Sequence, residues 1–241
     1  MRISPVLATT ALSLAALPAL ADDGLRFGLG WTKNVTIDTR LVEVYGQYHK
    51  ELGVNFAIQG DITVNKYSFD TDSRFNLALH AAYKPTDETW VGAYVGRQDW
   101  FGNDFNYYGV EYGWRHPAWY GDMHIGRFDA ATGTFERTLY GADVSVNLSH
   151  LLKQVPVSPA AEDRISAKFG LHGVADGTDE QLVYVGLGYK VQSDWEISAR
   201  ASKVLNADHD QIGVFLEYMP RARDSDVPFS RRGWTAAFKA W

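Results

Sequence analysis

The sequence predicts an all-β chain whose antiparallel strands close into an up-and-down transmembrane barrel, and three observations carry that prediction. Apolar residues alternate at period two in segment after segment between positions 25 and 218. The chain opens on an export-signal pattern. It contains no cysteine, while 14% of its residues are aromatic and 22 are glycine.

The alternation is clearest over residues 181–191. Val183, Val185, Leu187, Tyr189 and Val191 share one parity; Leu182, Tyr184, Gly186, Gly188 and Lys190 share the other. Successive side chains of a strand point to opposite faces, so this segment has one continuous apolar face and one small or polar face. The first segment sets Leu25, Phe27, Leu29 and Trp31 against Arg26, Gly28, Gly30 and Thr32. The second sets Val42, Val44 and Tyr48 against Glu43, Tyr45, Gln47 and His49. The third sets Val54, Phe56, Ile58, Ile62 and Val64 against Asn55, Gln59, Asp61, Thr63 and Asn65. The fourth has Phe75, Leu77, Leu79, Ala81 and Tyr83 opposite Asn76 and His80. The fifth has Val91, Ala93 and Val95 opposite Trp90, Gly92, Tyr94, Gly96 and Gln98.

Tyr108, Val110, Tyr112 and Trp114 alternate with Tyr107, Gly109, Glu111, Gly113 and Arg115 in the sixth. The seventh is weaker, with Trp119, Met123 and Ile125 against Tyr120, Asp122, His124 and Gly126. The eighth runs from Tyr140 to Leu148 with Asp143 and Ser145 on its polar side. In the ninth, Ile165, Ala167, Phe169 and Leu171 alternate with Ser166, Lys168, Gly170 and His172. Residues 181–191 are the tenth. The eleventh has Trp195, Ile197, Ala199 and Ala201 against Glu196, Ser198, Arg200 and Ser202; the twelfth has Ile212, Val214, Leu216 and Tyr218 against Gly213, Phe215 and Glu217.

Each run has about the length that crosses an outer membrane at a tilt. Turning the large apolar sets inward would overfill a barrel of this size, so they are placed outward, in lipid. Val183, Val185, Leu187, Tyr189, Val214, Leu216 and Tyr218 are thus expected to face lipid. Twelve strands is the predicted count, with ten and fourteen as alternatives. The short connections 84–88 and 192–194 belong on the periplasmic side of such a barrel.

Residues 1–21 carry Arg2, an apolar run and the end Ala19-Leu20-Ala21, which predicts a signal peptide cleaved between Ala21 and Asp22. The barrel is assigned to residues 22–219. In the tail, 220–241, Trp234, Ala237, Phe238 and Trp241 follow helical spacing, which predicts an amphipathic helix on the membrane or a plug in the periplasmic mouth. A final strand is the alternative. The net charge of −6 excludes a basic nucleic-acid face, and loss of Arg2 makes the mature chain more acidic. No cofactor, metal or catalytic activity is expected.

These features resemble the porin-type outer-membrane barrels of Gram-negative bacteria along the whole mature chain. The resemblance implies outer-membrane lipids, lipopolysaccharide and the barrel-assembly machinery as partners. That machinery reads a terminal aromatic with alternating apolar residues before it. Trp241 supplies the aromatic, but Lys239 and Thr235 break its alternation, and the run ending at Tyr218 fits better.

The expected function is passive diffusion of small hydrophilic solutes or ions. Glu43, Asp61, Glu111, Arg115, Asp143, Lys168, Lys190, Arg200 and Glu217 are the wall residues expected to line the pore. With Arg26, Asp122 and Glu196 the inward face has seven acids and five bases, which predicts a mild cation preference through the field of the charged wall. A filled, non-conducting barrel that works through its loops is the alternative. A barrel protease or lipid hydrolase would need a motif that is absent: in Asp208-His209-Asp210 the Asp and His are adjacent, without the Asp-x-His spacing of omptin-type proteases.

Overall fold

The computed structural model describes residues 24–100, 103–116, 118–130, 136–148, 164–175, 180–192, 194–207, 209–218 and 229. The predicted signal peptide, its cleavage site, and the tail other than Phe229 lie outside the described residues.

Twelve strands follow one another along the chain: β1 (Leu25–Asn34), β2 (Thr39–Glu51), β3 (Phe56–Tyr67), β4 (Ser73–Thr86), β5 (Thr89–Trp100), β6 (Asn103–His116), β7 (Trp119–Ala130), β8 (Glu136–Asn147), β9 (Ile165–Ala175), β10 (Gln181–Gln192), β11 (Trp195–Val204) and β12 (His209–Tyr218). Each pairs antiparallel with its neighbours in sequence, and β12 returns to β1, with Tyr218 opposite Phe27 and Gly213 opposite Thr32. The sheet closes at twelve. Ten and fourteen strands are thereby excluded. Closure removes the unpaired row of N–H and C=O groups that an open sheet would present to hydrocarbon, where no water could satisfy it.

The pleat separates the two faces as the alternation predicts. In β4 exposed and buried residues alternate strictly from Ser73 to Ala82, and β12 repeats the pattern. Leu187 is 60% exposed and Val110 57%, while Glu43, Asn65 and His80 are fully buried. This barrel is inverted relative to a soluble one: its apolar side chains point out and its charges point in. Val185, Leu187, Tyr189, Val214 and Leu216 are exposed outward as predicted, with Val183 and Tyr218 half-buried on the same face.

The ends of the barrel differ. One, the turn end, carries the starts of β1 and β3, the finish of β12, and turns as short as 87–88. Outward aromatic rings cluster there. Phe27 packs on Tyr218 and Trp195, Phe56 on Tyr83, and Trp114 on Tyr112 and Trp119. Amphipathic rings of this kind settle at the membrane–water boundary. The opposite, loop end carries 35–38, 68–72 and 205–208.

Glycines on the inward face have a packing reason. Gly28 lies opposite Tyr45 and Gly170 opposite Tyr184, each tyrosine ring covering the space a glycine Cβ would fill. Such pairs let bulky rings lie flat against the wall.

Some strand limits differ from the sequence reading. Val54 and Asn55 fall in the turn before β3, where the Asn55 carbonyl accepts from Lys84 N–H at 2.7 Å. Strand β4 continues through Thr86, with its register against β5 broken between Tyr83 and Thr86. Pro85, which has no N–H to give the ladder, explains the break. The connection 148–164 joins β8 to β9 at the turn end, and most of it lies outside the described residues.

Replacing Val185 by Arg puts a charge on the lipid face. It should cost about 2–4 kcal/mol if Val185 lies near the midplane, read as a lowered urea midpoint for folding into lipid vesicles. An unchanged midpoint would mean that this face does not meet lipid.

Candidate functional site: the barrel interior

Alternation brings one parity of every strand into a common interior, so residues distant in sequence meet there. They form three networks, with an apolar layer above them. Toward the turn end, the Glu217 carboxylate on β12 gathers donors from three other strands. Arg26 Nη2 donates to Oε1 at 2.7 Å, Lys168 Nζ donates to Oε2 at 3.2 Å, and the Tyr45 hydroxyl donates to Oε1. Lys168 also donates to Glu196. Two acids and two bases thus share one buried site, where each charge is tolerable only because the others face it.

At mid-height His80 lies between two carboxylates. Its Nε2 is 3.1 Å from Asp61 Oδ2 and its Nδ1 2.8 Å from Glu111 Oε1. Asp61 accepts further from Gln47 Nε2 (3.2 Å) and Gln59 Nε2 (2.9 Å). The third network centres on Asp143, which accepts from the Tyr184 hydroxyl and has His172 Nε2 at 3.1 Å. Arg200 lies over the rings of Tyr184 (5.1 Å) and Phe215 (4.5 Å). Flat packing of a guanidinium on aromatic faces offsets part of its desolvation.

Of the residues the sequence marks as pore-lining, the structure brings Lys168 and Glu217 together, links Asp61 to Glu111 through His80, and sets Asp143 and Arg200 against the same Tyr184 ring. Glu43, Arg115 and Lys190 stand elsewhere on the inward face; Glu43 is fully buried, the other two are not.

The interior also holds what the sequence reading missed. Its loop end is apolar rather than polar: Tyr107, Phe128, Leu139, Val174, Leu182 and Val204 are buried as one cluster, with Leu41 and Tyr67 as a smaller one. These residues have inward parity near strand ends, which is the sequence signal that marks them. Three further bases are inward: Lys84 over the Trp90 ring, Arg137 opposite Phe128, and Arg74. Its Nε donates to Asp70 Oδ2 at 2.9 Å and its Nη1 to Asp99 Oδ1 at 3.3 Å. The loop carboxylate Asp70 is held below the usual carboxylate range by the N–H of Asp72 and then by Arg74. Within the tail, Phe229 is buried in the interior against Ala57, Ala82 and Trp90, at the turn end.

Around the circumference the charges segregate. Strands β2 to β8 carry Glu43, Glu51, Asp61, Glu111, Asp122 and Asp143 against Arg74, Lys84, Arg115 and Arg137. Strands β9 to β1 carry Lys168, Lys190, Arg200 and Arg26 against Glu196 and Glu217. Acid predominates on one wall and base on the other. Among the described residues no group of His, Asp and Glu side chains is placed to hold a metal ion.

No protein-family model and no curated protein matches the chain. Solved structures match its fold. A KdgM porin aligns with a TM-score of 0.54 at 8% identity, covering 81% of this chain and 98% of that one. A NanC porin aligns with a TM-score of 0.54 at 8% identity, covering 80% and 98%. The COG4313 outer membrane channel from Pseudomonas putida F1 aligns with a TM-score of 0.52 at 10% identity, covering 81% and 95%. At such identities the likeness is one of barrel architecture.

Glu217→Ala removes the acceptor that faces Arg26 and Lys168 and leaves buried positive charge uncompensated. It should cost about 3–5 kcal/mol of folding stability, measured as a lowered urea midpoint in detergent micelles. A change near zero would show that water already solvates this cluster.

Proposed function

We propose that the chain is an outer-membrane channel through which small hydrophilic solutes or ions diffuse passively, with a weak preference for cations. In this reading it is exported by a signal cleaved between Ala21 and Asp22. It is then inserted by the barrel-assembly machinery among outer-membrane lipids and lipopolysaccharide. The observation that carries the proposal is the inverted wall: exposed aliphatic side chains outside, ion pairs and carboxylates inside. A barrel built only for rigidity would gain more from an apolar filling than from buried ion pairs, whose desolvation consumes most of their attraction. Retained interior charge is what a path for water and ions requires. The likeness to porins and an outer-membrane channel supports the same reading and gives no support to an enzyme.

The solute class follows from charge. The KdgM porin has been solved with a disordered oligogalacturonate, an acidic sugar chain. Here acids outnumber bases on the β2 to β8 wall, which suits small neutral or cationic solutes better than a polyanion. Glu43, Asp61, Glu111 and Asp143 on the acidic wall are assigned to attract cations. Arg115 sits among them, and Lys168, Lys190, Arg200 and Glu217 set the opposite side.

The second reading, a filled barrel without conductance, has its own observation. The inward side chains of Gln47, Gln59, His80, Gln98 and Glu111 are nearly or fully buried.

The test is single-channel recording of the refolded mature chain in a planar bilayer under a salt gradient. Discrete openings with a reversal potential on the cation side are expected. The double variant Asp61→Asn, Glu111→Gln should move that potential toward zero. Anion selectivity would overturn the preference. Silence from folded protein in every variant, including those below, would leave the filled barrel standing.

A further inference from the structure

Phe229 is eleven positions beyond the last residue of β12, yet it returns into the lumen and is 2% exposed. Its surroundings fit it on three sides. Gln59 reads its backbone in both directions: Gln59 Nε2 donates to the Phe229 carbonyl at 3.0 Å, and the Phe229 N–H donates to Gln59 Oε1 at 3.3 Å. Gln47 Nε2 reaches the same carbonyl at 3.5 Å. This is how a sheet edge holds a peptide, with side-chain amides standing in for a neighbouring strand. The ring then fills an apolar recess of Ala57, Ala82 and Trp90 and stacks on His80, centroids 6.1 Å apart at 18°. Gly92 forms part of the recess, since a Cβ there would stand 2.8 Å from the Phe229 ring.

The position gives the contact its meaning. Ala57, Ala82 and Trp90 lie on β3, β4 and β5 near the turn end, where the chain leaves β12. His80 beneath the ring belongs to the Asp61–His80–Glu111 network on the acidic wall. Phe229 therefore covers His80, which bridges Asp61 and Glu111 at the centre of the path proposed above.

We propose that this recess is a built-in docking site for the chain's own tail, and that Phe229 seated in it is an autoinhibitory plug that narrows the lumen from the periplasmic side. The inference rests on the channel reading. Its occupant is fixed by the structure: a phenylalanine whose backbone amide pairs with Gln59. Release of the seat, without unfolding of the barrel, widens the path.

Two measurements on the full mature chain test it. The first is single-channel conductance of Phe229→Ala, Gly92→Ala and Gln59→Ala, each checked for a folded barrel by heat-shifted gel mobility. Gly92→Ala acts on the seat without changing the tail. All three should conduct at least about twofold more than the parent, or open at least about twofold more often, in proportion to the freed path. The second uses the absence of cysteine: Phe229→Cys supplies a single thiol for a membrane-impermeant maleimide. Seated, it should react at least about tenfold more slowly than a thiol in an unfolded control, and adding Gln59→Ala should restore fast reaction. Openings of unchanged size and frequency in all three variants, or a thiol at 229 that reacts at the unfolded rate, would overturn the proposal. If every variant is silent while the thiol stays protected, the seat is upheld and the channel reading falls.

Discussion

The rest of this structure depends on one constraint: in hydrocarbon every backbone N–H and C=O must find its partner within the protein. Twelve strands meet it by closing on one another, the last pair joining β1 to β12 over Phe27 to Asn34. Closure then dictates where side chains go. With the backbone spent on the ladder, a residue's parity alone decides whether it meets lipid or lumen. A one-residue slip would send Glu217 outward and Leu216 inward. The networks inside and the aliphatic surface outside are consequences of a single register.

Closure also makes the interior expensive to furnish. Lys168, Arg26, Glu196 and Glu217 lie on four strands, β9, β1, β11 and β12, and are held within reach of one another by the sheet's curvature. None of these charges could be kept so buried alone. Their mutual pairing neutralises the turn end of the basic wall, while acids outnumber bases on β2 to β8. A lumen with this asymmetry has a transverse field. The apolar layer of Phe128, Leu139, Val174 and Leu182 above it packs as one buried cluster at the loop end.

The recess that holds Phe229 joins these features. It is lined by residues whose individual roles look unremarkable: alanines, a glycine, two glutamines and a tryptophan. Together they make an aromatic socket with a peptide-reading amide, set beside the Asp61–His80–Glu111 network. In the channel reading proposed above, this occupant links conductance to the seating of Phe229 through a few hydrogen bonds and one ring.

The alternation in residues such as Leu77, Leu79 and Ala81, or Val183, Val185 and Leu187, by itself determined the strands, their order and their lipid face. Period two is a local property of extended backbone and needs no knowledge of the neighbours. The same parity placed Asp61, Glu111, Lys168 and Glu217 inside. Only the tertiary structure decided who meets whom, because cross-strand register and curvature are set by all twelve strands together. It put His80 between Asp61 and Glu111, 19 and 31 positions away, and Glu217 against Arg26, 191 positions away. It joined the loop carboxylate Asp70 to the inward Arg74. It also brought Phe229 back into the lumen. Helical spacing in the tail points to Trp234 and Phe238, whereas Phe229 is recognised by a socket from β2 to β5 that exists only once the barrel has closed.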